Sequence, residues 1–403
     1  MKDNSTNESD KVSSDLVFIT TITGNVNYYA KWKERTYGTG TASDPFLIYS
    51  AGPNDDTASE GDFNYYARQG LFASTNQYYF KQMGDITLSA YNEDTGYPTN
   101  SSSMDLLGFY DGNGFTINYL NPEESWSCQP LFGRIGNASI STSKIENLIV
   151  NVNIAHGPSG ISGLCSILYG QLENIILKGT VYSGDDDVSG LTGYMSNGSR
   201  IYKCANYATI TGASNGAAIC GRASGGIIEE CVNYGKVSAG GVDHGGSRIA
   251  VGGIVGVCES SGSSGLIIKN CYNVGSVISD TEPCGGIIGY AGGTTIENCY
   301  NISPSMTGNV VGGIIGQSAG NNTDTNLYFR TGAGASYAVG SASANYNSVP
   351  KTYAQLQNQS TYSGWTFGTA GVSTSGWVFV NKSITIDGST VTISLPRLAW
   401  ECL

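Results

Sequence analysis

Charge is scarce in this chain: only 13% of its 403 residues are Asp, Glu, Lys or Arg, and 20 basic residues face 32 acidic ones. The net charge of −12, with no basic stripe or basic helix, argues against nucleic acid or an anionic membrane as partner. Histidine is rarer still, at two residues, and no His-Glu-x-x-His string occurs, so a zinc peptidase of that type is excluded. His156 and His244 fall in turns of units three apart, too distant to share a metal. No apolar run is long enough for a membrane-spanning helix, so direct membrane insertion is not expected. The opening Met1-Lys-Asp-Asn-Ser-Thr-Asn lacks the apolar stretch of a signal peptide, and the expectation is an excised fragment with an added start. Also missing are long stripes of Ala, Leu, Glu and Lys at helical spacing.

What the chain has in abundance is glycine, at 56 residues, and a repeat. The stretch Ile267-Ile-Lys-Asn-Cys-Tyr-Asn-Val-Gly-Ser-Val277, followed by Gly285-Gly-Ile-Ile-Gly289, serves as its template. Apolar openers stand at Ile145, Leu172, Ile201, Ile228, Ile268 and Ile296, at intervals of 27, 29, 27, 40 and 28 residues. Three residues after each comes Leu148, Ile175, Cys204, Cys231, Cys271 or Cys299. Six further on stand Ile154, Val181, Ile210, Val237 and Val277, with Ser305 as the exception. A last column, Leu164, Leu191, Ile219, Ile254, Ile287 and Ile314, follows a glycine, or Ala218 in one copy.

Short β-branched runs broken by Gly, Ser, Asn and Asp are strand punctuation. Three such runs per unit predict an all-β, three-sided parallel β-helix of about 27–28 residues per coil, right-handed by the usual crossover rule. One coil buries roughly five apolar side chains at about 1.5–3 kcal/mol each, against about 1–2 kcal/mol for every backbone it fixes. Stacking is therefore obligatory. Aromatic-rich segments are expected as caps: Tyr65, Tyr66, Tyr78, Tyr79 and Trp126 at one end, and Trp365, Phe367, Trp377, Phe379 and Trp400 at the other. The implied division is 1–34 as a preceding module and linker, 35–144 as cap and first coils, 145–330 as the repeats, and 331–403 as the last coil and cap.

Ten cysteines suggest disulfides until their positions are read. Cys204, Cys231, Cys271 and Cys299 share one inward column, where side chains point the same way, so a reduced ladder is expected. Asn147, Asn174, Asn270 and Asn298 recur two residues after the opener, and Asn206, Asn233, Asn273 and Asn301 five after it, as amide ladders.

The chain carries two resemblances. Thr23-Gly-Asn-Val-Asn-Tyr-Tyr-Ala-Lys-Trp32 resembles the closing strand of the Listeria–Bacteroides repeat, a module of bacterial surface proteins. Gly38-Thr-Gly-Thr-Ala-Ser-Asp-Pro-Phe-Leu-Ile48, Tyr79-Phe-Lys-Gln-Met-Gly-Asp-Ile-Thr-Leu88, Gly108-Phe-Tyr-Asp-Gly-Asn-Gly-Phe-Thr-Ile-Asn-Tyr-Leu120, Leu131-Phe-Gly133 and the Gly-Gly-Ile-Ile-Gly copies, with Pro396-Arg-Leu-Ala-Trp400, resemble the GLUG-motif bacterial proteins. Departures are Ala217-Ala-Ile-Cys-Gly221 and Ser166 in place of a closing glycine. The resemblance implies an extracellular bacterial surface or secreted protein, adhesin-like, with no family-wide catalytic residues.

Candidate sites follow from the breaks in the period. The 40-residue interval enlarges both turns of one coil, and turns are where repeat proteins place recognition, which points to Ala239–Arg248 and Glu259–Gly265, with Asp243, His244, Arg248 and Glu259 as recognition residues. Asp185, Asp186 and Asp187, with Asp280 and Glu282 in the equivalent turn, are the Ca2+ candidates, although adjacent acids more often form a solvated turn; no other cofactor is expected. Glu146 and Glu173, one coil apart, have the spacing of a retaining glycosidase pair, yet Glu146, Glu173, Tyr202, Glu229, Lys269 and Glu297 also read as an ordinary solvated column. Tyr272 and Tyr300 are read as outward glycan-stacking platforms. The Asp111-Gly-Asn-Gly114 string reads as a turn between strands, not a phosphate loop, because no helix follows. The leading expectation is a non-catalytic, monomeric stalk or adhesin fragment that meets a host protein or glycan; the alternative is a carbohydrate-active module.

Overall fold

The computed structural model describes residues 36–53, 56–89, 104–121, 130–154, 160–184, 188–240, 249–259, 265–342, 344–386 and 389–403. The chain divides into units 1–36 and 37–403, and the second is an all-β solenoid of about seven turns.

The turns opening at Ile201, Ile228 and Ile268 each give three short strands to one sheet and two to another, whereas the two turns before them run the first part as one long strand, Lys144–Ile154 and Gln171–Tyr182. In the template turn the short strands are Leu266–Lys269, Tyr272–Asn273 and Val277–Ser279, then Pro283–Gly285 and Ile288–Gly292. Among the described residues the first sheet has 22 strands and the second 12, and the pairings between successive turns are parallel. The register makes the inward columns explicit. The opener column runs Phe46, Phe80, Tyr110, Ile145, Leu172, Ile201, Ile228, Ile268, Ile296, and ends unexpectedly on Asp324. Aromatic openers fill the first turns, where Phe63, Tyr66 and Phe72 from and beside the helix Phe63–Arg68 join the core. Val277 is opposite Met306, so the apparent exception at Ser305 is one extra residue in that turn, and the column stays apolar.

A left-handed residue makes the corner between the first two strands of each turn. Asn147, Asn174, Lys203, Glu230, Asn270 and Asn298 all have φ between +51° and +55°, a conformation that Asn tolerates better than Lys or Glu. Inside the next corner Asn206 donates to Asn233, Asn233 to Asn273 and Asn273 to Asn301, at 2.8–2.9 Å, in a buried amide ladder. Glycine is required beside it. A Cβ on Gly286 would lie 2.2 Å from Asn301 Nδ2.

The cysteine column is reduced and buried: Cys204, Cys231, Cys271 and Cys299 donate to the carbonyls of Tyr202, Glu229, Lys269 and Glu297 at 3.2–3.3 Å. Cys165, Cys220, Cys258 and Cys284 are also free and buried, Cys402 is free and half-buried, and Cys128 lies outside the described residues.

After the last rung, Ser348–Lys351, the chain turns back. A short helix, Tyr353–Leu356, leads to the antiparallel hairpin Trp377–Ile386 and Ser389–Leu398 and the closing turn Ala399–Cys402. Leu356, Tyr362, Trp365, Trp377, Ile393, Leu395 and Leu398 pack against a stripe on the outer flank: Ala205, Val232, Tyr234, Tyr272, Val274, Tyr300, Ile302 and Tyr328. The C-terminal aromatics therefore cover several turns sideways, from Asn326, whose carbonyl accepts from Trp365 Nε1, back to Glu230.

Candidate functional site

Three outer features bear on function: the enlarged turns, the charged column and the covered tyrosine stripe. In the enlarged turns, Asp243, His244 and Arg248 lie outside the described residues, as do Asp185, Asp186, Asp187, His156 and Trp126. The rungs around them are described. Gly216 and Ala217 are opposite Val251 and Gly252, and Gly226 is opposite Leu266, so both insertions leave the stacking register untouched. Glu259 closes the strand Val255–Glu259, and its carboxylate meets Arg222 of the preceding turn at 3.4 Å. Below the same turn, Ala250, Val257 and Tyr290 form a small buried apolar cluster of their own.

The charged column is an ion-pair ladder. Glu146 and Glu173 are opposite each other in register, and Lys144 bridges them at 2.7 and 2.6 Å. Partial burial works against the Lys144 ammonium, but the hydrogen bonds to both carboxylates outweigh it and hold its pKa above the ordinary value. Two turns beyond Glu173, Glu229 takes Arg200 at 2.9 Å and Lys269 at 3.0 Å. Burial alone would raise the Glu229 pKa, and the two cations reverse this and lower it. Arg200 also lies 4.1 Å from the Tyr202 ring centre. A retaining pair flanks the sugar bond with its two carboxyl groups, and here the Lys144 ammonium is bonded to both Glu146 and Glu173 instead. Among the described residues no group of three or more His, Cys, Asp and Glu is placed to hold a metal ion.

The tyrosine stripe corrects the reading of Tyr272 and Tyr300. Both are fully buried, with rings stacked at 4.9 Å and 5° to each other, and Trp377 covers them at 5.8 and 5.7 Å. Neither presents a face to a sugar, because the C-terminal hairpin occupies the position a glycan would take. Tyr207, at the margin of the hairpin, is 49% exposed and stacks on Tyr234 at 4.7 Å.

The hairpin brings charges that repeat analysis did not select. Arg397 is 1% exposed, and its Nη1 donates to the Tyr272 hydroxyl at 3.1 Å and to the Tyr234 hydroxyl. Glu401 accepts from Tyr234 at 2.5 Å, Tyr272 at 2.7 Å and the Leu398 amide at 3.0 Å. Burial raises the pKa of Tyr234, Tyr272 and Tyr300, keeping the hydroxyls protonated as donors. On the solenoid side, Glu230 accepts from the Gly376 amide through Oε1 at 2.6 Å, and its carbonyl accepts from Trp400 Nε1 at 3.1 Å. One signal was available beforehand: Lys203 and Glu230 interrupt a column otherwise filled by asparagine in the repeats.

No family model matches the chain, and no curated protein matches it either. Among solved structures it is similar to a crystal structure from Bacteroides ovatus described as a "putative immunoglobulin A1 protease", with a TM-score of 0.50 and 22% identity over 68% of this chain and 79% of that one. At that identity the likeness is one of fold, and both chains share the β-solenoid class.

Proposed function

We propose that this chain is a non-catalytic solenoid of a bacterial surface or secreted protein, of the GLUG-motif kind, that displays its turns to a host protein or glycan. The observation that carries this reading is the enlarged turn pair. Added residues enter both turns of one coil while the rungs on either side keep their register, as expected where a rigid scaffold presents loops. The charged column adds support, since the Lys144 ammonium holds both Glu146 and Glu173 and so stands where a substrate bond between the two carboxylates would lie. No cofactor is needed for display, and a monomer suffices.

The test compares the chain with a variant whose residues 241–248 and 260–264 are replaced by the short turns of neighbouring coils. Both are applied to a glycan array and to a panel of host matrix proteins. Binding by the parent that the variant loses supports the reading. Equal binding by both removes the loops from it, and selective sugar binding by both favours a carbohydrate module. Incubation with immunoglobulin A1 or with polysaccharides completes the experiment, because turnover of either would replace display with catalysis.

A further inference from the structure

We propose that the C-terminal hairpin is a proton-controlled cover over the tyrosine stripe, latched at Glu230. Glu230 occupies a left-handed corner, φ +51°, that Asn147, Asn174, Asn270 and Asn298 fill in other turns. Glutamate is a poor choice for that backbone conformation. What it gains is the hairpin. Its carboxylate accepts from the amide of Gly376, just before the first hairpin strand, and its carbonyl accepts from the indole of Trp400, just after the second. A single residue thus pins both feet of the cover.

The latch is incomplete on one side. Glu230 is 3% exposed, and its Oε2 has no hydrogen-bond partner. Docking therefore moves a carboxylate from water into a site that satisfies one oxygen and strands the other, at a cost that a bound proton relieves. Burial, the largest influence, raises the pKa of Glu230 in the docked state, against the opposing pull of the Gly376 amide and Lys203. The sign follows from linkage. A carboxyl whose docked pKa lies above its free value binds more protons when docked, so docking is strongest in mild acid and weakens as pH rises through the docked value.

Among the described residues, the charged and titratable groups around Glu230 come from both sides of the contact. From the solenoid come Lys203, Glu229, whose pKa Arg200 and Lys269 lower, and the buried Cys231, which donates to the Glu229 carbonyl and whose pKa is pulled down, against burial, by its bonds to Cys204 and Cys271. From the cover, Gly376 and Trp400 are donors, while Arg397 and Glu401 are engaged further along with Tyr234 and Tyr272. Lys382 reaches the carbonyl of Glu401, and half-buried Cys402 has its pKa raised by burial. The two histidines lie outside the described residues.

Hydrogen exchange of the hairpin amides, corrected for intrinsic rates and referred to core amides such as Ile268 and Ile287, reads the cover directly. From mild acid to neutral pH the parent chain is expected to lose protection in the hairpin by up to about tenfold per pH unit, the limit for one proton. Glu230→Gln is expected to keep the hairpin protected at neutral pH with no slope. Glu230→Asn, which restores the residue used by other turns, is expected to remove the slope while the core stays protected. Glu401→Gln is expected to keep the parent's slope. A flat parent profile, or the same slope in Glu230→Gln and in the parent, overturns the proposal.

Discussion

Asn273 donates one amide hydrogen to Asn301 Oδ1 at 2.9 Å and the other to the Gly275 carbonyl at 3.0 Å, while its own Oδ1 accepts from Asn233 at 2.8 Å. Every polar atom of a fully buried side chain is thereby used, and two of the three partners are rungs of the same ladder. Asn273→Ala strands one Asn233 amide hydrogen, whose twin keeps the Gly235 carbonyl, removes the side-chain donor of the Gly275 carbonyl, and leaves Asn301 Oδ1 with the Ser303 amide alone. Loss of about 1–3 kcal/mol per stranded group is expected, measured as a shift in the denaturant midpoint at unchanged slope. Asn174→Ala, whose ladder bond is exposed, is expected to cost less, and equal losses at the two positions would contradict a buried-ladder account.

Gly275 tests the spacing of the turns. A Cβ there would sit 1.8 Å from the carbonyl oxygen of Gly235, which is backbone and cannot rotate away. Gly275→Ala is expected to cost at least the roughly 1–3 kcal/mol of an overpacked site. At Gly198, φ +89°, an added Cβ meets nothing within 4 Å, so Gly198→Ala is expected to show only the backbone penalty of about 1–2 kcal/mol. Thermal melts of the two variants decide the comparison.

The thiols should behave as a core. Burial pushes Cys165 and Cys284 up to about 12, so neither offers thiolate near neutral pH. Alkylation of the native protein without reductant is expected to label Cys402 among the nine described cysteines, and the other eight only after unfolding. Intact mass showing bridged cysteines in the Cys204, Cys231, Cys271 and Cys299 column would refute the reduced ladder.

Asp324 stands where the preceding turns place an apolar opener, opposite Ile296, and its Oδ1 is buried without a partner. Burial raises its pKa. A carboxyl with a raised folded pKa adds no penalty below its unfolded value, where both states are protonated, and destabilises progressively as pH rises through the folded value. Asp324→Leu is therefore expected to raise the melting temperature at neutral pH and to change it little in strong acid. A variant less stable than the parent at neutral pH would show that the carboxylate has a role at this end of the solenoid.

How much of this was legible beforehand differs by feature. The opener, cysteine and asparagine columns could be read because a solenoid places equivalent residues of each copy at equivalent positions, so sequence period and spatial register are the same information. Met306 replacing Ser305 shows the limit of counting, since a single added residue in a turn is invisible until the rungs are paired. The candidate site was less legible. Lys144 and Arg200 precede their openers by one residue and were missed as members of the charged column, although they share its outer face.

The sequence by itself determined the parallel β-solenoid, the identity of its inward columns and the place where one coil is enlarged, because each depends on residues spaced within one or two turns. Only the tertiary structure decided which outer surface is free. Tyr272 and Tyr300 are buried by residues far along the chain, among them Trp377, 77 positions after Tyr300, and Arg397, 125 positions after Tyr272. The hairpin is outside the period, and nothing in a repeat states which flank an aperiodic segment will cover. That choice follows from shape, from exclusion of water from aromatic rings, and from the bonds made by Glu230, Arg397 and Glu401 across the interface.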